Sequence, residues 1–148
     1  MLRSVQVMEN QKGDRENELR GVLVDSSDII IGNVIGRGGF GTVNLGIYKG
    51  VKVAVKQLRE ISEKNVKRFR FECFLMKNLR HPNIVELVGV CWDEQLLACL
   101  LEFVPNGTLD DWLRRDTNLP AEEKLTWKGT LLKVAQQIAL GVQFLHHR

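Results

Sequence analysis

The chain has 148 residues, 44% hydrophobic and 26% charged, a globular composition that excludes a disordered chain and fits one domain or part of one. Its 21 Lys and Arg against 18 Asp and Glu give a net charge of +3. The two signs alternate along the chain, so no nucleic-acid or membrane partner is expected. The longest wholly apolar run, Leu96 to Leu101, is far below the ~20 residues that span a bilayer.

The start, Met1-Leu2-Arg3-Ser4-Val5-Gln6, carries no readable secretory signal. Cys73, Cys91 and Cys99 are odd in number, widely spaced and set among apolar neighbours, with no Cys-x-x-Cys pair. They read as reduced, buried thiols of a cytoplasmic protein.

Glu9 to Arg20 is almost devoid of apolar residues and cannot offset the entropy of ordering it, so residues 1–27 are expected to form a flexible polar leader. From Asp28 the texture changes. Ile29, Ile30, Ile31, Val34 and Ile35 predict a strand that runs into the glycines Gly36, Gly38, Gly39 and Gly41. A second strand leaves through Thr42, Val43 and Leu45 and turns at Lys49-Gly50, and a third follows over Val51 to Leu58.

Ser62 to Leu79 has no Gly or Pro and spaces Val66, Phe69, Cys73 and Met76 for one amphipathic helix. His81-Pro82-Asn83 breaks the chain, and Ile84 to Val90 and Leu96 to Val104 predict two more strands joined near Asp93-Glu94. After Pro105-Asn106-Gly107 come a short helix starting near Thr108, a polar connection around Asn118-Leu119-Pro120, and a long helix from about Trp127 to His146. That last helix places Leu131, Val134, Ile138, Val142 and Leu145 at apolar positions. No internal repeat is present.

Ile35-Gly36-Arg37-Gly38-Gly39-Phe40-Gly41-Thr42-Val43 fits Gly-x-Gly-x-x-Gly-x-Val, in which missing Cβ atoms let backbone N–H groups approach phosphate oxygens. The same glycine spacing in a dinucleotide site leads from a strand into a helix. Here β-type sequence flanks both sides, which favours a lid over nucleotide phosphates; a plain hairpin turn is the alternative. Val53-Ala54-Val55-Lys56 puts a cation at the end of the third strand, either as a phosphate ligand or as an edge-strand lysine. Phe69, Glu72 and Met76 share a helical face, so Glu72 either points to the sheet and a cationic partner or pairs locally with Arg68 or Arg70.

In this order the glycine motif, Val-Ala-Val-Lys, the helix Glu, His81-Pro82-Asn83-Ile84-Val85 and Leu100-Leu101-Glu102-Phe103-Val104-Pro105-Asn106-Gly107-Thr108-Leu109 resemble the first half of a protein kinase domain. Gly89-Val90-Cys91 and the Gly-Thr-Leu opening of the next helix resemble most closely the tyrosine-kinase-like group, whose members mostly act on Ser or Thr. The resemblance implies an α+β fold: a small lobe over 28–104, of a five-stranded antiparallel sheet and one helix, then over 105–148 the hinge exit and first two helices of an incomplete large lobe. It also implies that Ile35, Gly36, Gly38, Gly39, Phe40 and Gly41 lie over the phosphates of ATP. Lys56 would bind the α- and β-phosphates, held by an ion pair with Glu72 that breaks when the helix swings outward. Val43 and Ala54 would roof the adenine, Glu102 C=O and Val104 N–H would bond its edge, and Leu101 would narrow the back of the pocket. Met76 and Leu87 would join the family's apolar spine, a role compatible with ordinary core packing. Asp110 and Asp111 read as helix-start residues.

The sequence has no His-Arg-Asp and no Asp-Phe-Gly, the motifs that supply the catalytic base and a magnesium ligand. Mg2+ would therefore serve the complete kinase and find no ligands here; nucleotide binding by this chain should be weak and largely metal-independent, and turnover undetectable. A non-catalytic nucleotide-binding or interaction module is the alternative, with a protein partner on the exposed large-lobe helices.

Overall fold

The computed structural model describes residues 18–38, 41–93, 95–116 and 127–147. In chain order they form strands β1 (Leu23–Val24), β2 (Ile29–Gly38), β3 (Gly41–Tyr48) and β4 (Val51–Leu58), helix α1 (Glu63–Lys77), strands β5 (Leu87–Trp92) and β6 (Leu97–Glu102), and helices α2 (Leu109–Asp116) and α3 (Leu132–His146). A π-helical turn at Trp127–Leu131 leads into α3. The chain forms two compact units. One runs to Arg80 and resumes over Val85–Phe103; the other is built from His81–Ile84 and from Val104 onward.

The strands make one six-stranded sheet in the order β1-β5-β6-β4-β3-β2. The β3–β4 connection is the two-residue turn Lys49-Gly50, both at positive φ (48° and 79°), the conformation that a tight hairpin between twisted strands requires. Strand alternation divides the apolar residues between two faces. On β6, Leu97 and Cys99 join Val90 and Leu87 in a cluster under α1, where Val66, Phe69 and Cys73 meet them. Ala98 and Leu100 join Val53, Val55 and Cys91 in a second cluster on the other face. Burial on both faces explains why 96–101 reads as an unbroken apolar run.

Helix α1 starts at Ser62, whose hydroxyl accepts from Asn65 N–H, a cap worth about 1 kcal/mol. Glu63 in the first turn and Lys77 in the last complement its dipole.

The α+β class holds, with two corrections. The sheet has a sixth strand: β1 pairs parallel with β5, Leu23 opposite Val90 and Val24 opposite Cys91. The polar leader therefore does not extend to residue 27, because Leu19 is fully buried in the cluster under α1. Residues 1–17 of that leader lie outside the described residues.

The second correction concerns His81–Ile84, which belong to the second unit. Ile84 N–H donates to His81 C=O, closing a turn, so the strand begins only at Leu87. The His81 ring stacks on Phe144 of α3 at 5.0 Å. Gly141 lets α3 approach this turn, since a Cβ there would lie 3.1 Å from the Asn83 carbonyl oxygen.

In the same unit Thr108 caps α2, accepting from Asp111 N–H and donating to its carboxylate. This hydroxyl contact holds the Asp111 carboxyl below the usual carboxylate range. Among the described residues no helix is long and apolar enough to cross a membrane.

Candidate functional site

Strand register gathers the predicted residues on one face of the sheet. Val43 stands opposite Lys56, and Lys56 opposite Cys99; Leu45 stands opposite Ala54, and Ala54 opposite Leu101. Directly opposed residues share a face, and so do residues two apart on one strand, so Val43, Ala54, Lys56 and Leu101 lie together. This is also the face on which α1 packs.

There the Lys56 ammonium donates to the Glu72 carboxylate in a hydrogen-bonded ion pair. The side chains are 26% and 39% exposed. Both line a small pocket between β4 and α1 with Gln57, Leu58, Asn65, Arg68 and Phe69. The geometry excludes the edge-strand reading of Lys56 and pairs Glu72 with the sheet. Lys56 is not on an edge, since β4 lies between β3 and β6. Glu72 turns to the sheet, and the helix arginine Arg70 instead pairs with Glu18 at 3.2 Å.

The glycines divide into two kinds. A Cβ on Gly41 would sit 1.8 Å from the Gln57 carbonyl oxygen, so β3 and β4 close only if residue 41 has no side chain. Among the described residues, a Cβ on Gly38 would meet nothing within 4 Å, and one on Gly36 only Val43 at an ordinary 3.7 Å. Nothing in the described residues requires glycine at these two positions. Gly39 and Phe40 lie outside the described residues.

Asn44 is a buried polar residue that sequence reasoning missed. Strand β2 slips register between Ile31 and Val34 and again before Gly36. Beside this irregularity, the Asn44 amide donates to Gly32 C=O at 2.8 Å, and its oxygen accepts from Gln57 at 3.1 Å. The side chain ties the irregular strand that leads to Gly36 and Gly38 to β3 and β4. The only available signal was a single polar residue within a β-branched strand.

Cys73 on α1 and Cys99 on β6 lie together in the buried cluster under α1. The neighbouring Cys73 thiol and the Lys56 ammonium hold the Cys99 thiol below the usual range; the Cys99 thiol, together with burial, pushes Cys73 up. All three cysteines are free and buried.

The remaining predicted residues are more dispersed. Ile35 on β2 is half-exposed, as is Val104, which opens the second unit. Glu102 is fixed by its N–H, which donates to Glu86 C=O at 2.9 Å. Leu87 is buried in the cluster under α1, and Met76 packs against it. Asp110 and Asp111 occupy the first turn of α2.

Residues 29–148 match the family model described as protein tyrosine and serine/threonine kinase. A probable LRR receptor-like serine/threonine-protein kinase of Arabidopsis thaliana is 41% identical over 116 residues, covering 78% of this chain and 13% of the relative. A leucine-rich repeat receptor protein kinase of the same plant is 40% identical over 116 residues, covering 78% and 10%. A probable serine/threonine-protein kinase of Dictyostelium discoideum is 36% identical over 125 residues, covering 83% and 17%. The chain spans less than a fifth of the length of these relatives.

Proposed function

The chain belongs to the protein tyrosine and serine/threonine kinase family, and from that premise we propose that it is the ATP-binding part of a protein kinase of the receptor-like Ser/Thr type. Its complete form would transfer the γ-phosphate of ATP to Ser or Thr hydroxyls of a protein substrate. The observation that carries this reading is the Lys56–Glu72 ion pair, formed on the sheet face that also bears Val43, Ala54 and Leu101. Glu72 holds the ammonium at the end of β4, where it is available to phosphate oxygens. Val43 and Ala54 give an apolar surface for a flat base, and Leu101 limits its depth. Glu102 offers a backbone acceptor for the edge of the base.

The residues fit such a ligand. Gly36 and Gly38 leave space that the described residues do not fill, and their N–H groups can approach phosphate there. The rest of the glycine motif, Gly39, Phe40 and Gly41, completes the lid in this reading. Bound ATP supplies the phosphoryl group, and Mg2+ supplies countercharge in the complete kinase; no residue of this chain is assigned to the metal. Without His-Arg-Asp and Asp-Phe-Gly the chain alone should bind nucleotide weakly and turn none over. A reducing, cytoplasmic setting belongs to the same proposal and is supported by the three free, buried thiols.

Calorimetric titration of the 148-residue chain with ATP, with and without Mg2+, tests this reading. Saturable binding that changes little with the metal is expected, with no phosphate transferred to a Ser-rich acceptor protein. Absence of binding at millimolar ATP would overturn it.

The second reading, an interaction module, is favoured by α3, where Ile138, Val142 and Leu145 share one face and are about half-exposed. A partner covering that face predicts concentration-dependent self-association or capture that Ile138→Asp abolishes.

A further inference from the structure

Helix α1 is held from two sides. Toward β4 it presents Glu72 to Lys56. Toward the start of the chain it meets residues 18–24, which no part of the proposed nucleotide site includes. Leu19, with no exposed surface, packs among Val66, Phe69 and Cys73 of α1. Arg70 pairs with Glu18 at 3.2 Å, and the Lys77 ammonium donates to Glu18 C=O at 3.1 Å and to Arg20 C=O at 2.7 Å. Positions 66, 69, 70, 73 and 77 form one stripe, so the segment lies along the helix over three turns.

The other end of the segment is fixed to the sheet. Val90 N–H donates to Val22 C=O at 2.7 Å, and β1 pairs with β5. Gly89 makes room for it: a Cβ at residue 89 would lie 2.6 Å from Val24 Cγ1 and 3.4 Å from Val22 O.

We propose that residues 18–24 are a strap that positions α1 for the Lys56–Glu72 pair, so that docking of the strap and binding of nucleotide reinforce each other. The inference about nucleotide rests on the ATP-binding reading above; that about the helix does not. A hydrogen-bonded helix of 15 residues moves as a unit, so releasing Glu18, Leu19 and Arg20 frees the element that carries Glu72. Coupling between two sites is reciprocal, so ATP should also protect the strap. Glu18, Leu19 and Arg70 are positioning residues and touch no ligand.

The test uses the full chain and two perturbations that leave the site residues alone. Gly89→Ala pushes β1 off through Val24, and Glu18→Arg sets like charges against Arg70. Each should raise amide hydrogen exchange throughout α1 without ligand and weaken ATP binding about fivefold or more. Adding Val24→Ala to Gly89→Ala restores the space and should restore both readouts. In a Glu72→Gln background the two perturbations should no longer alter ATP affinity, an outcome that general destabilisation would not produce. Unchanged α1 exchange in both variants overturns the strap, as does unchanged ATP affinity in a chain that binds ATP. If the parent chain binds no ATP while α1 exchange still responds, the positioning role stands and the nucleotide reading fails.

Discussion

The Lys56 ammonium donates to the Glu72 carboxylate, joining the end of β4 to the middle of α1 across 16 positions of sequence. The pair is partly exposed, so its direct contribution to stability is small, about 0–1 kcal/mol. Its expected role is to hold the ammonium in place. Lys56→Met should lower ATP affinity at least about tenfold while shifting the melting temperature little. Glu72→Gln, which keeps the cation but loosens it, should cost less. Titration and thermal melting of both variants check this, and unchanged affinity in Lys56→Met would remove Lys56 from the site.

Helical spacing set Glu72 on the face of Phe69 and Met76 but left its partner open between the sheet and a local arginine; the pair with Lys56 was implied by the family resemblance. The resemblance also grouped Val43, Ala54, Lys56 and Leu101, and strand register is what sets them on one face. Leu19 was not legible. One apolar residue in a polar stretch has no periodicity, and its burial depends on a pocket built by α1, β5 and β6. Asn44 was hidden for a related reason, because its partners arise from a strand irregularity that spacing does not announce. The break at His81-Pro82-Asn83 was legible, but Ile84 to Glu86 read as the start of a strand, since Ile84 and Val85 are β-branched; the turn closed by Ile84 N–H and the stacking of His81 on Phe144 are tertiary facts.

The two kinds of glycine should respond oppositely to alanine. Gly41→Ala places a Cβ against the Gln57 carbonyl oxygen and forces β3 from β4, a cost of about 1–3 kcal/mol. That corresponds to several degrees of melting temperature. Gly38→Ala meets no atom of the described residues within 4 Å and should leave melting unchanged while weakening ATP binding, because the Cβ occupies space proposed for phosphate. Thermal melts with and without ATP separate the cases. A Gly38→Ala chain that binds ATP normally would show the space to be incidental.

Asn44→Leu keeps the branched outline of the side chain and discards both hydrogen bonds. Gly32 C=O and the Gln57 amide lose a partner near a buried position, at a cost of about 1–3 kcal/mol. The urea midpoint should fall accordingly, with the unfolding slope unchanged. Hydrogen exchange should rise first in β2, where the irregular register leaves fewest other restraints. A neutral substitution would mean that water replaces the lost contacts.

Cys91 predicts an alkaline loss of stability. Its thiol is pushed up to about 12, first by burial and then by the nearby Asp93 carboxylate, to which it also donates at 3.6 Å. The folded chain therefore keeps a proton that the unfolded chain releases above the usual thiol range, about 8.5. Between those two values the native state binds more protons than the unfolded state, so stability falls as pH rises. The slope approaches about 1.4 kcal/mol per pH unit for one group. Below the unfolded value both states are protonated and the effect vanishes. Cys91→Ser retains a donor toward Asp93 but does not titrate in this range, so its deficit relative to the parent chain should shrink steadily from pH 8.5 to 11. Denaturant titrations of the two chains across that interval provide the check; parallel curves would show that Cys91 ionises as readily in the folded chain as in the unfolded one.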